Sequence, residues 1–176
     1  MFTKMPVLLL TSGKTFSVLP DPEIPIDQVH IDIASRNDSV RNTLIDAGPI
    51  IALFDRSDKY HQPIRTFLQD DDFRLITTWP AITEASHMLD FDVRAQVGLL
   101  KWIYRGGLRI HEIDASGLQR VIELTEKYRD QTMELADATL VVAAEETGIL
   151  EILSIDSDFL VYRANGNRVI ENLFKR

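Results

Sequence analysis

The chain of 176 residues contains no cysteine. This absence excludes disulfide bonds, zinc sites built from thiolates and a cysteine nucleophile. It also suits a reducing compartment, because disulfides persist mainly in oxidising ones. We therefore expect a cytoplasmic protein.

Long apolar runs are also missing. No stretch approaches the roughly 18 apolar residues that a membrane-spanning helix needs, so no membrane partner is expected. The hydrophobic share is 45% and the charged share 26%, which is the balance of an ordinary globular protein. The length is sufficient for one domain with a sizeable core.

Basic residues are scarce relative to acidic ones. The chain has 19 Lys and Arg against 27 Asp and Glu, which gives a formal net charge of -8. Nonspecific binding to nucleic acid is therefore not indicated, since phosphate contacts depend on Lys and Arg. A local patch can still override the total. Arg94, Lys101 and Arg105 fall at helical spacing and form a weak candidate for RNA binding, against the simpler alternative of a solvated helix face.

Two regions differ in character. Residues 1–40 are rich in proline and are interpreted as an N-terminal extension, either disordered or folded as a short hairpin of "PVLLL" and "TFSVL" around "TSGK". "VHIDIA" is a further possible strand there. Residues 41–176 form the main domain.

The main domain alternates strands with helices. Strands are predicted in "NTLID", "FRLITTW", "LRIHEID", "ILEILSID" and "RVIENL". The segments between them have helical character, including "VRAQVGLLKWIYRGG", whose apolar residues recur at 93, 97, 100 and 104. This alternation predicts an α/β fold with a mainly parallel sheet that is covered on both faces.

Four acidic residues occupy related places in this pattern. Asp46 ends the first strand, Glu84 lies at the start of the helix after "FRLITTW", Asp137 lies in the apolar helix "LADATLVVAA", and Asp156 ends "ILEILSID". Ligands of open parallel sheets bind beyond the carboxyl ends of the strands. No Lys or Arg falls within these segments, so converging carboxylates would repel each other and have raised pKa values.

A hard divalent cation such as Mg²⁺ or Mn²⁺ would remove that repulsion. Such an ion lowers the pKa of a bound water and polarises a phosphoryl oxygen. The chemistry indicated is therefore hydrolysis of a phosphodiester.

Single residues also have simpler interpretations. Asp46 alone is a good helix cap, and Glu84 alone is a typical exposed residue. Asp158 is predicted to cap a short turn in "DFLVYR" rather than to contact a metal ion. Trp79 is predicted to pack in the core, with stacking on a base as the alternative.

Four motifs then resemble a known family. "LIDAGPIIALFDRSDKYH", "WPAITEASHML", "LADATLVVAAEETG" and "ILSIDSDF" resemble, in that order, the motifs of PIN-domain ribonucleases, and in particular VapC-like toxins of toxin–antitoxin pairs. The likeness covers about residues 43–173. It implies a three-layer α/β/α sandwich and a Mg²⁺- or Mn²⁺-dependent endoribonuclease that cuts RNA such as tRNA or rRNA. It also implies a homodimer and an antitoxin that inserts a segment into the acidic pocket.

The resemblance also implies roles for individual residues. It assigns catalysis and metal binding to Asp46, Glu84, Asp137 and Asp156, and auxiliary roles to Ser154 and Asp158. Ser154 is expected to donate a hydrogen bond to a carboxylate or to a metal-bound water. Many family members carry Ser or Thr soon after the first Asp, where this chain has Ala47 and Gly48.

Three other classes compete with this interpretation. A phospho-aspartate receiver domain needs paired acids after its first strand and a Lys near its last, which "LIDAG" and "NRVIENL" lack. A haloacid-dehalogenase-type phosphatase needs Asp-x-Asp, whereas Ala47 and Gly48 follow Asp46. A PIN-like domain that binds RNA or a partner without cutting remains the open alternative, and metal-dependent RNA cleavage separates it from the nuclease.

Overall fold

The structure, a computed structural model, describes residues 40–131 and 133–174. The strands are β1 (Arg41–Ile45), β2 (Phe73–Thr77), β3 (Arg109–Ile110), β4 (Glu151–Leu153), β5 (Arg163–Ala164), β6 (Arg168–Val169) and β7 (Glu171–Asn172). The helices are α1 (Ala47–Phe54), α2 (His61–Gln69), α3 (Trp79–Met88), α4 (Val93–Tyr104), α5 (Ala115–Lys127) and α6 (Leu135–Thr147). Short 3-10 turns cover Arg129–Gln131, Asp158–Leu160 and Asn165–Asn167. The predicted hairpin and the "VHIDIA" strand lie outside the described residues.

Five strands form one parallel sheet in the order β3-β2-β1-β4-β7. The chain runs from β1 outward to β2 and β3, then returns to place β4 on the other side of β1. Because parallel crossovers are right-handed, this strand order is expected to place α1 to α4 on one face and α5 and α6 on the other. The predicted three-layer α/β/α sandwich with a mainly parallel sheet is confirmed.

Burial explains why these segments form a sheet and its covering helices. Thr43, Leu44 and Ile45 of the central strand β1 are fully buried in succession, as expected of a strand covered on both faces. Helix α6 buries a run of eight residues, 136 and 138–144. It ends at Gly148, whose φ of 73° is in the left-handed region that glycine adopts without strain. No helix in residues 40–131 or 133–174 is long and apolar enough to span a membrane.

One detail differs from the sequence prediction. "RVIENL" forms two short strands, β6 and β7, of which β6 pairs antiparallel with β5 and β7 pairs parallel with β4. Helix α4 forms as predicted, and the structure places its apolar stripe on the exposed face of the helix. Leu99 and Trp102 are its buried residues, whereas Val93 and Tyr104 of the stripe are 67% and 91% exposed.

Candidate active site

The site is built at the point where the sheet reverses its strand order. Strands β1 and β4 are neighbours there although the chain leaves them in opposite directions, which is where open α/β sheets bind ligands. Asp46 follows β1 directly, and its backbone N–H donates to the carbonyl of Leu153, the last residue of β4, at 3.1 Å. The two strand ends are therefore fixed together at the candidate site.

Asp46 is buried, with only 4% of its surface exposed. Its Oδ1 accepts from the N–H of Ala47 at 2.7 Å, so the cap of α1 considered from the sequence is present. Burial raises the pKa of Asp46 to about 7, and the charges of Asp137 and Glu84 add to that rise, while hydrogen bonds from Ser154 and Ala47 oppose it. The hydrogen bonds from Ser154 and Ala47 therefore do not fully offset the cost of burying a negative charge on Asp46.

Ser154 links the ends of β1 and β4. Its hydroxyl donates to Asp46 Oδ2 at 2.8 Å, which is the predicted hydrogen bond to a carboxylate, and accepts from the N–H of Asp156 at 3.0 Å. Asn172 of β7 holds the same turn, because its Nδ2 donates to the carbonyl of Ser154 at 2.9 Å and its Oδ1 accepts from the Ser154 N–H at 3.2 Å. The orientation of Asp46 therefore depends on residues from three strands.

Asp137 lies in the apolar helix α6 as predicted, in its first turn, and is half-buried rather than largely buried. It forms a capping box with Glu134: the Glu134 N–H donates to Asp137 Oδ2 at 3.3 Å. The Tyr162 hydroxyl donates to the same oxygen at 3.3 Å. Partial burial, with the charges of Asp158 and Glu134, raises the pKa of Asp137 to about 6.

Tyr162 was not identified from the sequence. It is 1% exposed, and its ring packs edge-on against Tyr128 and Phe159. Burial and the charge of Asp137 raise the pKa of Tyr162 above its usual value, so the hydroxyl stays protonated and acts as a donor. Tyr162 thereby orients Asp137 as Ser154 orients Asp46.

Glu84 and Asp156 are the other two of the four predicted acids, and they add negative charge to the site. Glu84 is half-buried on α3, and its pKa is raised by burial and then by the charges of Glu134, Asp137 and Asp156. Asp156 is exposed in the loop after β4. The charges of Asp137 and Asp156 act on Glu84, which is consistent with the predicted acids lying near one edge of the sheet.

Asp158 does not cap the turn as predicted. The cap of that 3-10 turn is Ser157, and Asp158 is its first residue, with an exposed side chain. Its contribution to the site is its charge, which helps to raise the pKa of Asp137.

The carboxylate oxygens of these four acids are of the chemical type that a hard cation binds. None of the four acids forms an ion pair with a Lys or Arg among the described residues, and buried like charges favour a divalent ion. Within residues 40–131 and 133–174, however, no three His, Asp or Glu side chains are grouped as a ready-made metal site.

Gly48, at the position of the usual Ser or Thr, lies against Ile155 in the segment after β4. A Cβ added to Gly48 would meet Ile155 Cγ1 at 2.6 Å. Ile155 therefore occupies the space that a side chain at position 48 would need, which accounts for glycine there.

The weak RNA-binding candidates give no common surface of free charge. Arg94 is engaged by Asp92 through several hydrogen bonds, the shortest between side chains being 2.9 Å. Lys101 is exposed and Arg105 is half-buried. Their contact with RNA stays a prediction.

The comparisons with known proteins agree with this geometry. The family model of the PIN domain matches residues 43–165. Ribonuclease VapC26 of Mycobacterium tuberculosis is 23% identical over 115 residues, which cover 64% of this chain and 85% of that protein. The crystal structure of VapC20, a sarcin-ricin loop cleaving toxin of Mycobacterium tuberculosis, has 17% identity and a TM-score of 0.61, and covers 68% of this chain and 92% of that one. The chain belongs to the PIN domain family.

Proposed function

We propose that this protein is a metal-dependent endoribonuclease that hydrolyses RNA phosphodiesters in the cytoplasm, as the toxin of a toxin–antitoxin pair. The observation that carries the proposal is Asp46. It is a buried carboxylate at the point where a PIN sheet reverses its strand order, and the negative charges of Glu84 and Asp137 act on it. A buried carboxylate without a compensating charge destabilises a fold, and groups with such perturbed pKa values cluster at functional sites.

The proposed roles follow from where each side chain is held. Asp46, Asp137 and Asp156 would hold Mg²⁺ or Mn²⁺, directly or through water, and Glu84 would help to hold it or orient the attacking water. A bound divalent ion supplies a water of lowered pKa and a polarised phosphoryl oxygen. The expected products carry a 5′-phosphate and a 3′-hydroxyl.

Ser154 and Tyr162 keep the carboxylates in place for this role. Each donates to one carboxylate oxygen, Ser154 to Asp46 and Tyr162 to Asp137. Asp46 Oδ2 keeps a second lone pair beside the bond from Ser154, and Asp137 keeps its other carboxylate oxygen, Oδ1, as an acceptor. Such supporting donors commonly fix the orientation of metal-binding side chains.

RNA cleavage tests the proposal directly. The full chain would be incubated with total tRNA and ribosomal RNA in the presence of Mg²⁺ or Mn²⁺, with EDTA as the control. Discrete fragments that EDTA abolishes are expected. RNA that stays intact with well-folded protein, or fragments that form equally in EDTA, would contradict it.

Removing the Ser154 hydroxyl should lower the rate of RNA cleavage without removing a side chain that is proposed to hold the cation. Ser154→Ala withdraws a hydrogen bond that lowers the pKa of Asp46, so the carboxylate becomes harder to ionise and is less firmly oriented. We expect cleavage to fall about 10- to 100-fold, the usual effect of losing a partner of a metal ligand, with a higher metal concentration at half-maximal rate. Initial rates over a titration of Mn²⁺ measure both.

Ser57→Ala is the matched control for this variant. The Ser57 hydroxyl also donates to a carboxylate, Asp55, at 2.6 Å, but both residues are in the loop after α1 and Ser57 is exposed. Ser57→Ala should cleave as the unchanged protein does. Equal rates for Ser154→Ala and Ser57→Ala would remove Ser154 from the proposed site.

The RNA target and protein partner are proposed at the level of class. VapC20 is described as cleaving the sarcin-ricin loop, so structured ribosomal RNA or tRNA is the substrate class to test first. An antitoxin that covers the site is the expected partner, and the unpaired acids favour one with a basic segment.

A homodimer is also part of the proposal. Helix α4 presents four exposed apolar residues at i, i+4, i+7 and i+11, which are Val93, Val97, Leu100 and Tyr104. A continuous apolar face of this kind marks an interaction surface, and a second copy would bury it.

Leu100→Glu should therefore separate the two copies. Leu100 is 50% exposed, so the monomer tolerates Glu there, whereas a packed interface would bury an unpaired charge. Light scattering after size exclusion should give twice the chain mass for the unchanged protein and a single mass for the variant. Leu118→Glu on α5, at a similarly exposed leucine (54%), should stay dimeric. A monomer in all three proteins would end the dimer proposal.

One observation favours the second candidate, a PIN-like domain that binds without cutting. No ready-made metal group stands among the described residues. Under this alternative, RNA or a partner binds and no metal-dependent fragments form, so the cleavage experiment above separates the two.

A further inference from the structure

The two tryptophans of the chain differ sharply in exposure. Tryptophan is highly buried on average, although rarely completely, whereas Trp79 is 47% exposed. The other tryptophan, Trp102, is 6% exposed and packs against Phe54. The core-packing prediction for Trp79 is therefore wrong.

The indole ring is nevertheless held in one place. Its Nε1–H donates to Glu112 Oε1 at 3.2 Å, and Glu112 follows β3, the strand next to β2. One edge of the ring is fixed by this hydrogen bond, while nearly half of the side chain remains open to solvent.

The position of Trp79 relative to the acids follows from its neighbours. Trp79 begins α3, so Glu84 lies about 7.5 Å further along the helix axis. The preceding residue, Thr78, is buried, and its hydroxyl is 2.8 Å from that of Thr139 in α6, two residues beyond Asp137. Trp79 therefore lies on the same edge of the sheet as the acids, on the side of β3.

We infer that Trp79 is a stacking platform for an unpaired nucleobase that lies next to the phosphodiester to be cut. Aromatic faces stack on bases of single-stranded RNA. The surrounding charge selects the base over the backbone, because Glu112, Glu84 and Asp137 repel phosphate, whereas a nucleobase is uncharged. This inference rests on the proposed RNA cleavage and deepens it by naming a specificity-determining residue.

Intrinsic fluorescence tests the inference without any cleavage. The chain has two tryptophans, and only Trp79 is open to solvent. A short oligoadenylate would be added to the full chain in EDTA, with its binding followed separately by the anisotropy of an end label. We expect tryptophan fluorescence to be quenched as the oligonucleotide binds, and Trp79→Phe, with Trp102 alone, to show no quenching.

Affinity provides the second measurement. Trp79→Leu should bind the oligonucleotide about 5- to 100-fold more weakly, the usual loss for one stacked base, whereas Trp79→Phe should lose less because its ring can still stack. A fully paired RNA hairpin stem should quench little. Thermal melting of each variant confirms that it is folded.

Several outcomes would overturn the inference. They are absence of oligonucleotide binding, binding with unchanged Trp79 fluorescence, equal affinity of Trp79→Leu and the unchanged protein, and equal quenching by the hairpin stem. Quenching by an arginine-containing peptide but not by RNA would assign the ring to a protein partner instead. Cleavage with Mg²⁺ is assayed separately, so a failure of the nuclease proposal is distinguishable from a failure of this one.

Discussion

Asp46→Asn is expected to make the metal-free protein more stable at pH 8 while it abolishes RNA cleavage. The pKa of Asp46 is raised from 3.8 to about 7 in the fold. Between these two values the folded state holds a proton that the unfolded state has lost, so the free energy of unfolding falls as the pH rises from about 4 to about 7. Asn carries no charge, so Asp46→Asn does not show this fall in the free energy of unfolding.

The size of the effect can be bounded. A pKa rise of this extent corresponds to about 4 kcal/mol at pH 8, and part of it is lost because the Asn amide fits the Ser154 hydroxyl less well. We expect a gain of about 2 kcal/mol in the free energy of unfolding at pH 8, shrinking towards pH 5. Urea unfolding in EDTA at several pH values measures it.

Metal should reverse the order of stability. A ligand that binds only the folded state stabilises it by mass action, so Mg²⁺ or Mn²⁺ should raise the melting temperature of the unchanged protein but not that of Asp46→Asn. Asp130→Asn, at an exposed residue of the Arg129–Gln131 turn, is the control and should match the unchanged protein. An Asp46→Asn protein that is the less stable one at every pH in EDTA would show that the buried charge is compensated after all.

Asp137→Asn should remove cleavage and leave the fold intact. Asn can still accept hydrogen bonds from Glu134 N–H and Tyr162 through its Oδ1, so the capping box of α6 survives. The lost charge is one of those proposed to hold the cation, whose stabilisation of a phosphoryl transition state amounts to several kcal/mol. We expect initial cleavage rates about 10³-fold lower, with a melting temperature in EDTA no lower than that of the unchanged protein.

Asp130→Asn again serves as the control, because it removes one exposed negative charge outside the site. An Asp137→Asn protein that cuts RNA at more than a tenth of the unchanged rate would limit Asp137 to its capping role.

The positions of the acids were predictable because they follow from local pattern. Asp46 directly follows a run of buried apolar residues, and Asp156 comes shortly after another. The carboxyl ends of parallel strands meet at one edge, so strand assignment alone was enough to place both there. Ser154 could be placed with them for the same reason.

The supporting residues could not be found in this way. Tyr162 and Asn172 reach the site through contacts between segments distant in the chain, and the strands around them are only two residues long. No periodic pattern marks so short a strand. Tyr162 carries no sequence signal that separates a core tyrosine from one that orients Asp137.

Two further features of the helices were not fixed by sequence pattern alone. Helical periodicity states that residues 93, 97, 100 and 104 share a face, but not whether that face meets the core or solvent. For Asp137, the spacing of Glu134 and Asp137 is close to that of a capping box. Taken as a cap signal, it would have indicated that Asp137 lies in the first turn of the helix, at the half-buried position seen in the structure.

Direct binding of Mn²⁺ to the full chain tests the central claim, that these acids hold a divalent cation. Isothermal titration calorimetry at pH 8 would compare the unchanged protein with Asp46→Asn, Asp137→Asn and the Asp130→Asn control. The account predicts saturable Mn²⁺ binding that the control retains and that both site variants lose. No binding to the unchanged protein, or equal binding to all four, would contradict it.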